Sequence, residues 1–152
     1  MRIFMIFAAL SLFLFGGCSK SGAPLCTDET VKKLVLDIST GELKNQLLNM
    51  AIVTQLATTP MVQGNPTYED WNKLKDAAGA EKIREVVSLV DRQIAEAKMN
   101  LTNVRISEKR DDIKKCDCGG DLAFSSGKTI PITYAVQYTE DGKIYVEVFG
   151  LK

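Results

Sequence analysis

Apolar residues recur every three or four positions between residues 31 and 52, a spacing typical of an amphipathic helix. The pattern predicts one long helix, or two helices that break at Gly41. Thr27, followed by two acidic residues, predicts the N-terminal cap, because its hydroxyl oxygen can accept a hydrogen bond from a free backbone N–H group. The Thr-Thr-Pro stretch at 58–60 predicts the helix end, because a residue before proline avoids the helical region.

Two shorter helical patterns follow. Thr67 with Asp70 three positions later matches a capping box, which predicts the start of a helix that carries Trp71. Gly79 ends or interrupts this helix, and a third helical pattern covers residues 83–97. The apolar face of the third pattern consists of Ile83, Val86, Val87, Val90, Ile94 and Ala97.

Beyond Met99 the apolar residues alternate with polar ones, and four runs of this kind predict four strands. Turn signals separate the last three runs, at residues 125–128 and at Asp141-Gly142, where glycine tolerates the positive φ of a hairpin turn. Helices followed by an antiparallel meander predict an α+β domain, with the amphipathic helices packed on one face of a four-stranded antiparallel sheet.

The chain has 19 basic and 19 acidic residues and no histidine. This balance argues against a nucleic-acid partner, which requires a basic surface. The absence of histidine removes the usual general base and the usual zinc ligand, and no phosphate-binding loop or nucleophile motif occurs. We therefore expect no catalytic residue, no metal and no cofactor, and we predict that the protein is not an enzyme.

The N-terminus has the features of a secretory signal. Arg2 supplies a positive charge, and the apolar run Ile3–Phe15 is shorter than the roughly 20 residues that span a bilayer. The Phe-Gly-Gly-Cys sequence that ends at Cys18 resembles the lipobox of bacterial lipoproteins, although phenylalanine stands where leucine is preferred. The resemblance implies cleavage of residues 1–17 and attachment of lipid, including palmitate, to Cys18.

The lipobox resemblance also implies a location in the cell. A residue other than aspartate after the lipidated cysteine, here Ser19, implies the periplasmic face of the outer membrane. Residues 18–26 form a short tether of linker composition, and seven such residues reach at most about 25 Å. A single α+β domain is predicted over 27–152, close to the lipid surface.

The mature chain also resembles small periplasmic lipoproteins of bacteria, and the order of its elements resembles cystatin-like and nuclear-transport-factor-like folds. The resemblance is carried by the cysteine near the mature N-terminus, the Cys-Gly-Gly-Asp-Leu stretch at 118–122 and the ending at 132–151. No established activity comes with it.

Three cysteines remain after Cys18, so a compartment that oxidises thiols leaves one of them unpaired. Cys116 and Cys118 lie two positions apart in a predicted strand and do not easily pair with each other. Cys26 is the partner of one of them. We favour a Cys26–Cys118 disulfide, because Cys118 lies nearer the middle of the strand and within the stretch that carries the resemblance, and Cys116 is the alternative.

A short tether, a neutral domain and the lack of catalytic groups favour a binding module that docks on another envelope protein near its membrane. Tyr145, Phe149 and Leu151, on the second face of the last strand, are candidates for its interaction surface, or else for a core on that face. A carrier of small apolar ligands or lipids is the second hypothesis, with Tyr134 and Tyr138 as polar groups in its pocket. An enzyme of unrecognised type is the third.

Overall fold

The computed structural model of the protein describes residues 22–55 and 66–151. Within them, three helices precede a four-stranded antiparallel sheet, so the predicted α+β class is confirmed. The predicted signal peptide, Cys18 and the helix end at 58–60 lie outside the described residues. The elements are α1 (Glu29–Gln55), α2 (Tyr68–Leu74), α3 (Glu81–Ala97), β1 (Asn100–Arg110), β2 (Lys115–Ala123), β3 (Thr129–Tyr138) and β4 (Ile144–Phe149).

The first helical pattern forms one helix that continues through Gly41. Its cap differs from the prediction. The backbone N–H of Thr30 donates to the Asp28 carboxylate at 2.9 Å, so Asp28 rather than Thr27 caps the first turn. None of the described helices is long and apolar enough to cross a bilayer.

The second and third helices begin where the sequence places them. Thr67 and Asp70 form the predicted capping box, in which each side chain accepts from the other residue's backbone N–H. Trp71, on α2, is buried and packs in the protein interior. On α3 the predicted apolar face is correct at its centre, where Val86, Val87 and Val90 are buried.

The strands pair in the order β1-β2-β3-β4, as a meander. Both predicted turns are present, and each uses a glycine in the left-handed region, Gly127 at φ 81° and Gly142 at φ 76°. The β1–β2 pairing contains two register shifts, one between Thr102 and Arg105 and one between Ile106 and Glu108. Each shift disrupts the ladder locally, which limits what can pair along the outer side of β1.

Two separate clusters of buried side chains form the interior, and α1 contributes to both. The first half of α1 packs on the sheet, whereas its second half packs against α2 and α3. The helix-on-sheet prediction is therefore correct for α1, while α2 and α3 cover α1 instead of the sheet. The sheet cluster includes Cys26, Val31, Val35, Leu101, Cys116, Cys118, Leu122, Ile132, Tyr134, Val136 and Val146. The helical cluster consists of Leu48, Ala51, Trp71, Val86, Val87 and Val90.

Ser39 lies on α1 between the two clusters. It is fully buried, and its hydroxyl has no hydrogen-bond partner among the described residues. An unpaired buried hydroxyl loses its hydration without compensation, so replacement by alanine removes that cost and also improves helix propensity. We expect Ser39→Ala to raise the free energy of unfolding by about 1 kcal/mol in urea denaturation.

Ser88→Ala is the matched control, because Ser88 lies on α3 with an exposed side chain. This control gains only the helix propensity, about 0.5 kcal/mol. Equal effects of the two substitutions would show that burial of the Ser39 hydroxyl has no energetic cost.

Candidate functional site

The three cysteines of the described chain meet where the segment before α1 crosses the sheet. Cys116 and Cys118 lie two positions apart on β2 and therefore on the same face of the sheet, where both are buried under α1. Cys26 and Cys118 are joined by a disulfide, with Sγ atoms 1.97 Å apart and Cα atoms 5.9 Å apart. This is the favoured pair. The alternative, Cys116, is a buried free thiol whose Sγ lies 3.3 Å from the Sγ of Cys26.

Tyr134 adds a hydrogen bond to the same junction. It lies on β3 opposite Cys118, and its hydroxyl donates to the Cys26 carbonyl oxygen at 3.0 Å. Burial raises the pKa of Tyr134 to about 12, so the hydroxyl stays protonated and keeps donating at neutral pH. The predicted role of Tyr134 as a polar group in a ligand pocket does not fit this contact, because the hydroxyl is occupied within the core.

A third contact holds the segment nearer to the predicted lipid anchor. The backbone N–H of Ala23 donates to the Asp111 carboxylate at 2.8 Å, in the turn between β1 and β2. This hydrogen bond, followed by that from Lys109, lowers the pKa of Asp111, so the carboxylate remains an acceptor at neutral pH. The predicted tether over 18–26 is therefore already attached to the sheet from Ala23 onward.

The cysteine cluster does not fit zinc. The three sulfur atoms lie within 4.8 Å of one another, but two of them are bonded together and only Cys116 offers a thiol. Zinc takes four ligands, and the chain has no histidine to complete the set. In its oxidised state the cluster fastens the start of α1 to the sheet.

The predicted interaction residues lie on β4, an edge strand of the sheet, or just after it. Tyr145 and Phe149 are 48% and 47% exposed, so they do not form a core on the second face of the sheet. Leu151 is partly buried against the sheet cluster, and its carbonyl accepts a hydrogen bond from the Gln46 side chain. The three predicted residues therefore divide into two exposed aromatic rings and one partly covered leucine.

An open groove of about 540 Å³ lies between α1 and the end of β4. It includes two of the predicted residues, Phe149 and Leu151, and it adds Ile38, which is 39% exposed although it belongs to the apolar pattern of α1. Ile38 matches the apolar spacing that predicts α1, and that spacing held no signal that it would line a groove. The complete lining is Ile38, Glu42, Val148, Phe149, Gly150 and Leu151.

The two edges of the sheet differ in character. The β1 edge carries four charged residues and two register shifts, features that discourage pairing with another strand. β4 has the sequence Ile-Tyr-Val-Glu-Val-Phe, and it pairs with β3 in continuous register. No described segment pairs with the outer side of β4. Its outer side is therefore unpaired within the described residues, and two of its three exposed side chains, Tyr145 and Phe149, are aromatic.

A polar junction links the three helices and was not predicted, because its members come from separate elements. Lys44 and the Tyr68 hydroxyl both donate to one carboxylate oxygen of Asp91, at 2.8 and 2.6 Å. Partial burial opposes ionisation of Asp91, but these hydrogen bonds lower its pKa overall. Each group has a partner within the junction, so its geometry is that of a structural link between α1, α2 and α3.

Comparison of the chain with protein-family models, with curated proteins and with solved structures finds no match.

Proposed function

We propose that this chain is a lipoprotein of the cell envelope, held by lipid on Cys18 at the periplasmic face of the outer membrane, whose β4 edge binds an extended segment of another protein. The observation that carries the proposal is the outer side of β4, which no described strand pairs with and which adjoins the groove. The lipobox resemblance supports the proposed location at the outer membrane. The proposed activity is binding without catalysis.

An extended segment fits this surface because a sheet edge and an adjoining pocket offer two kinds of contact. Backbone groups of the added strand bond to the edge, and alternate side chains of that strand reach the pocket. Phe149 and Ile38 present apolar surface to such a side chain. Glu42 and Glu147 are exposed carboxylates at the groove and on the strand, so the proposed segment alternates apolar with basic residues.

The position of the tether supports access to this surface. Strand register brings the β1–β2 and β3–β4 turns to one end of the sheet, since Lys115 pairs with Gln137. Ala23 is attached to that end through Asp111, whereas Phe149 lies further along the sheet opposite Thr133. The groove therefore lies away from the end that would face the lipid surface, and it stays open to a partner near the same membrane.

Site-specific photo-crosslinking in cells tests where the partner binds. A crosslinking residue at Tyr145, on the β4 edge, is expected to form an adduct with one protein, through an extended peptide that fragment mass spectrometry identifies. The same residue at Ile106, 51% exposed on the β1 edge, is the control and should form no such adduct. Equal adducts at both positions would show that β4 is not the binding edge.

Phe149→Lys is expected to reduce the Tyr145 adduct by about ten-fold or more. The substitution removes a phenylalanine whose full burial against a partner is worth about 1.5–3 kcal/mol, and about 1.4 kcal/mol corresponds to ten-fold in affinity. Leu74→Lys, at a 51% exposed residue on α2, is the matched control and should leave the adduct unchanged. If Phe149→Lys retains the full adduct, the groove is not part of the binding surface.

The two parts of the proposal can fail separately. Cys18→Ser removes the lipid acceptor, and we expect it to lose the cellular adduct while the purified variant still binds the identified peptide. Mass spectrometry of the mildly extracted protein addresses the carrier hypothesis. If a small apolar molecule is bound to wild type and absent from Phe149→Lys, the groove carries a small ligand and does not bind a peptide.

A further inference from the structure

Three sulfur atoms lie together in the core, although a disulfide uses only two. The Sγ atom of Cys116 lies 3.3 Å from that of Cys26, which is itself bonded to Cys118. All three sulfur atoms lie within 4.8 Å of one another, and all three residues are buried. Cys26 thus faces two candidate partners on the same strand, one bonded and one in direct contact.

We infer that Cys116 is an intramolecular nucleophile that displaces Cys118 from its disulfide with Cys26. The disulfide of Cys26 therefore exchanges between two positions on β2. In the exchange, the Cys116 thiolate attacks the Sγ atom of Cys26 and a Cys26–Cys116 bond forms. The Cys26–Cys118 bond breaks, and Cys118 leaves as a thiolate that takes up the proton lost from Cys116. No external oxidant or reductant is required.

The geometry of β2 determines that Cys116 attacks the sulfur atom of Cys26 and not that of Cys118. Residues two positions apart in a strand have Cα atoms about 6.6 Å apart, near the upper limit for a disulfide, and their side chains run side by side. A Cys116–Cys118 bond would therefore distort β2, whereas Cys26 approaches both residues from the facing segment. The exchange has two end states, and both fasten the start of α1 to β2.

The groups around Cys116 favour its protonated form. Burial, and next the negative charge of Asp117, raise the pKa of the Cys116 thiol. Lys109 acts in the opposite direction, Asp111 adds to the rise, and Tyr134 contacts the cluster from β3 as a neutral phenol. Since the thiolate is the attacking species, we expect exchange to be slow at neutral pH and faster in alkaline buffer.

Mapping of the free thiol in the oxidised protein tests the inference. The full chain with Cys18→Ser, which leaves only the three cysteines of the cluster, is held folded in alkaline buffer without reductant. Samples taken over time are quenched with acid, unfolded and labelled with a maleimide. A protease that cuts before aspartate then separates Cys116 from Cys118, because Asp117 lies between them.

We expect the label on both residues, with the labelled fraction of Cys118 reaching a constant value of about one-tenth or more. A ratio of one to ten corresponds to about 1.4 kcal/mol between the two bridges. Cys116→Ser has no thiol to attack Cys26, so it sets the background labelling of Cys118. Label on Cys116 alone at every time, with Cys118 at background, would overturn the inference.

A second variant tests the end state directly. Cys118→Ser, oxidised in the same way, is expected to form a Cys26–Cys116 disulfide, which the same digestion detects as a linked pair of peptides. Two free thiols in this variant, with circular dichroism of the folded protein unchanged, would show that Cys116 cannot replace Cys118.

Discussion

Replacing Cys26 with alanine is expected to lower the free energy of unfolding by about 4.6 kcal/mol, because the substitution removes the disulfide partner of both Cys118 and Cys116. The bond links residues 92 positions apart, and the chain-entropy model assigns this magnitude to closure of a loop of that length. Urea denaturation of the oxidised proteins, in the Cys18→Ser background, measures the difference.

Reductant and a second variant serve as controls. Reduced wild type should unfold at nearly the same urea concentration as Cys26→Ala, and the variant itself should not respond to reductant. Cys118→Ala should lose much less stability than Cys26→Ala, since Cys116 can then bond to Cys26. Equal losses in the two variants would mean that only the Cys26–Cys118 bond stabilises the protein.

Leu48→Ala is expected to destabilise the protein by about 2–5 kcal/mol, the second large effect that the structure predicts. Leu48 is fully buried on α1, where it packs in the helical cluster with Trp71 and Val90. Truncation loses the transfer free energy of the removed atoms and leaves a cavity among three helices. The gain in helix propensity from leucine to alanine is too small to offset this loss.

Val53→Ala is the matched control, because Val53 lies on the same helix and is 71% exposed. It should change stability by no more than about 0.5 kcal/mol, or slightly increase it. Because α1 is continuous between the two clusters, we also expect Leu48→Ala to shift a single unfolding transition rather than create a second one. A variant in which the sheet unfolds at the wild-type urea concentration while the helices unfold earlier would contradict this expectation.

Much of the fold could be predicted because local chemistry specifies it. Thr67 and Asp70 form their capping box through neighbouring residues, and Gly142 supplies the positive φ of a hairpin turn. The period of the apolar residues distinguishes helices from strands in the same way. The cap of α1 was misplaced by one residue, because Thr27 and Asp28 are both good caps and only the backbone path from Leu25 selects between them.

Less of the candidate site could be predicted. Tyr145 and Phe149 were named as candidates because they lie on the second face of the last predicted strand, but Ile38 was not, since its spacing matches the apolar face of α1. The division of the helices between two clusters also has no local signal, because an apolar face does not specify which surface will cover it.

Residue order was enough to predict the helices, the four strands, their turns and a disulfide from Cys26 to β2, because propensity, periodicity and cysteine number act within short segments or through simple counting. Only the tertiary structure decided that Cys116 lies beside the bonded pair, that α2 and α3 pack on α1, and that β4 is an open edge next to a groove. These features depend on distances between residues far apart in the chain. Such distances follow from how helices and strands pack together, and packing is settled by the whole set of side chains at once.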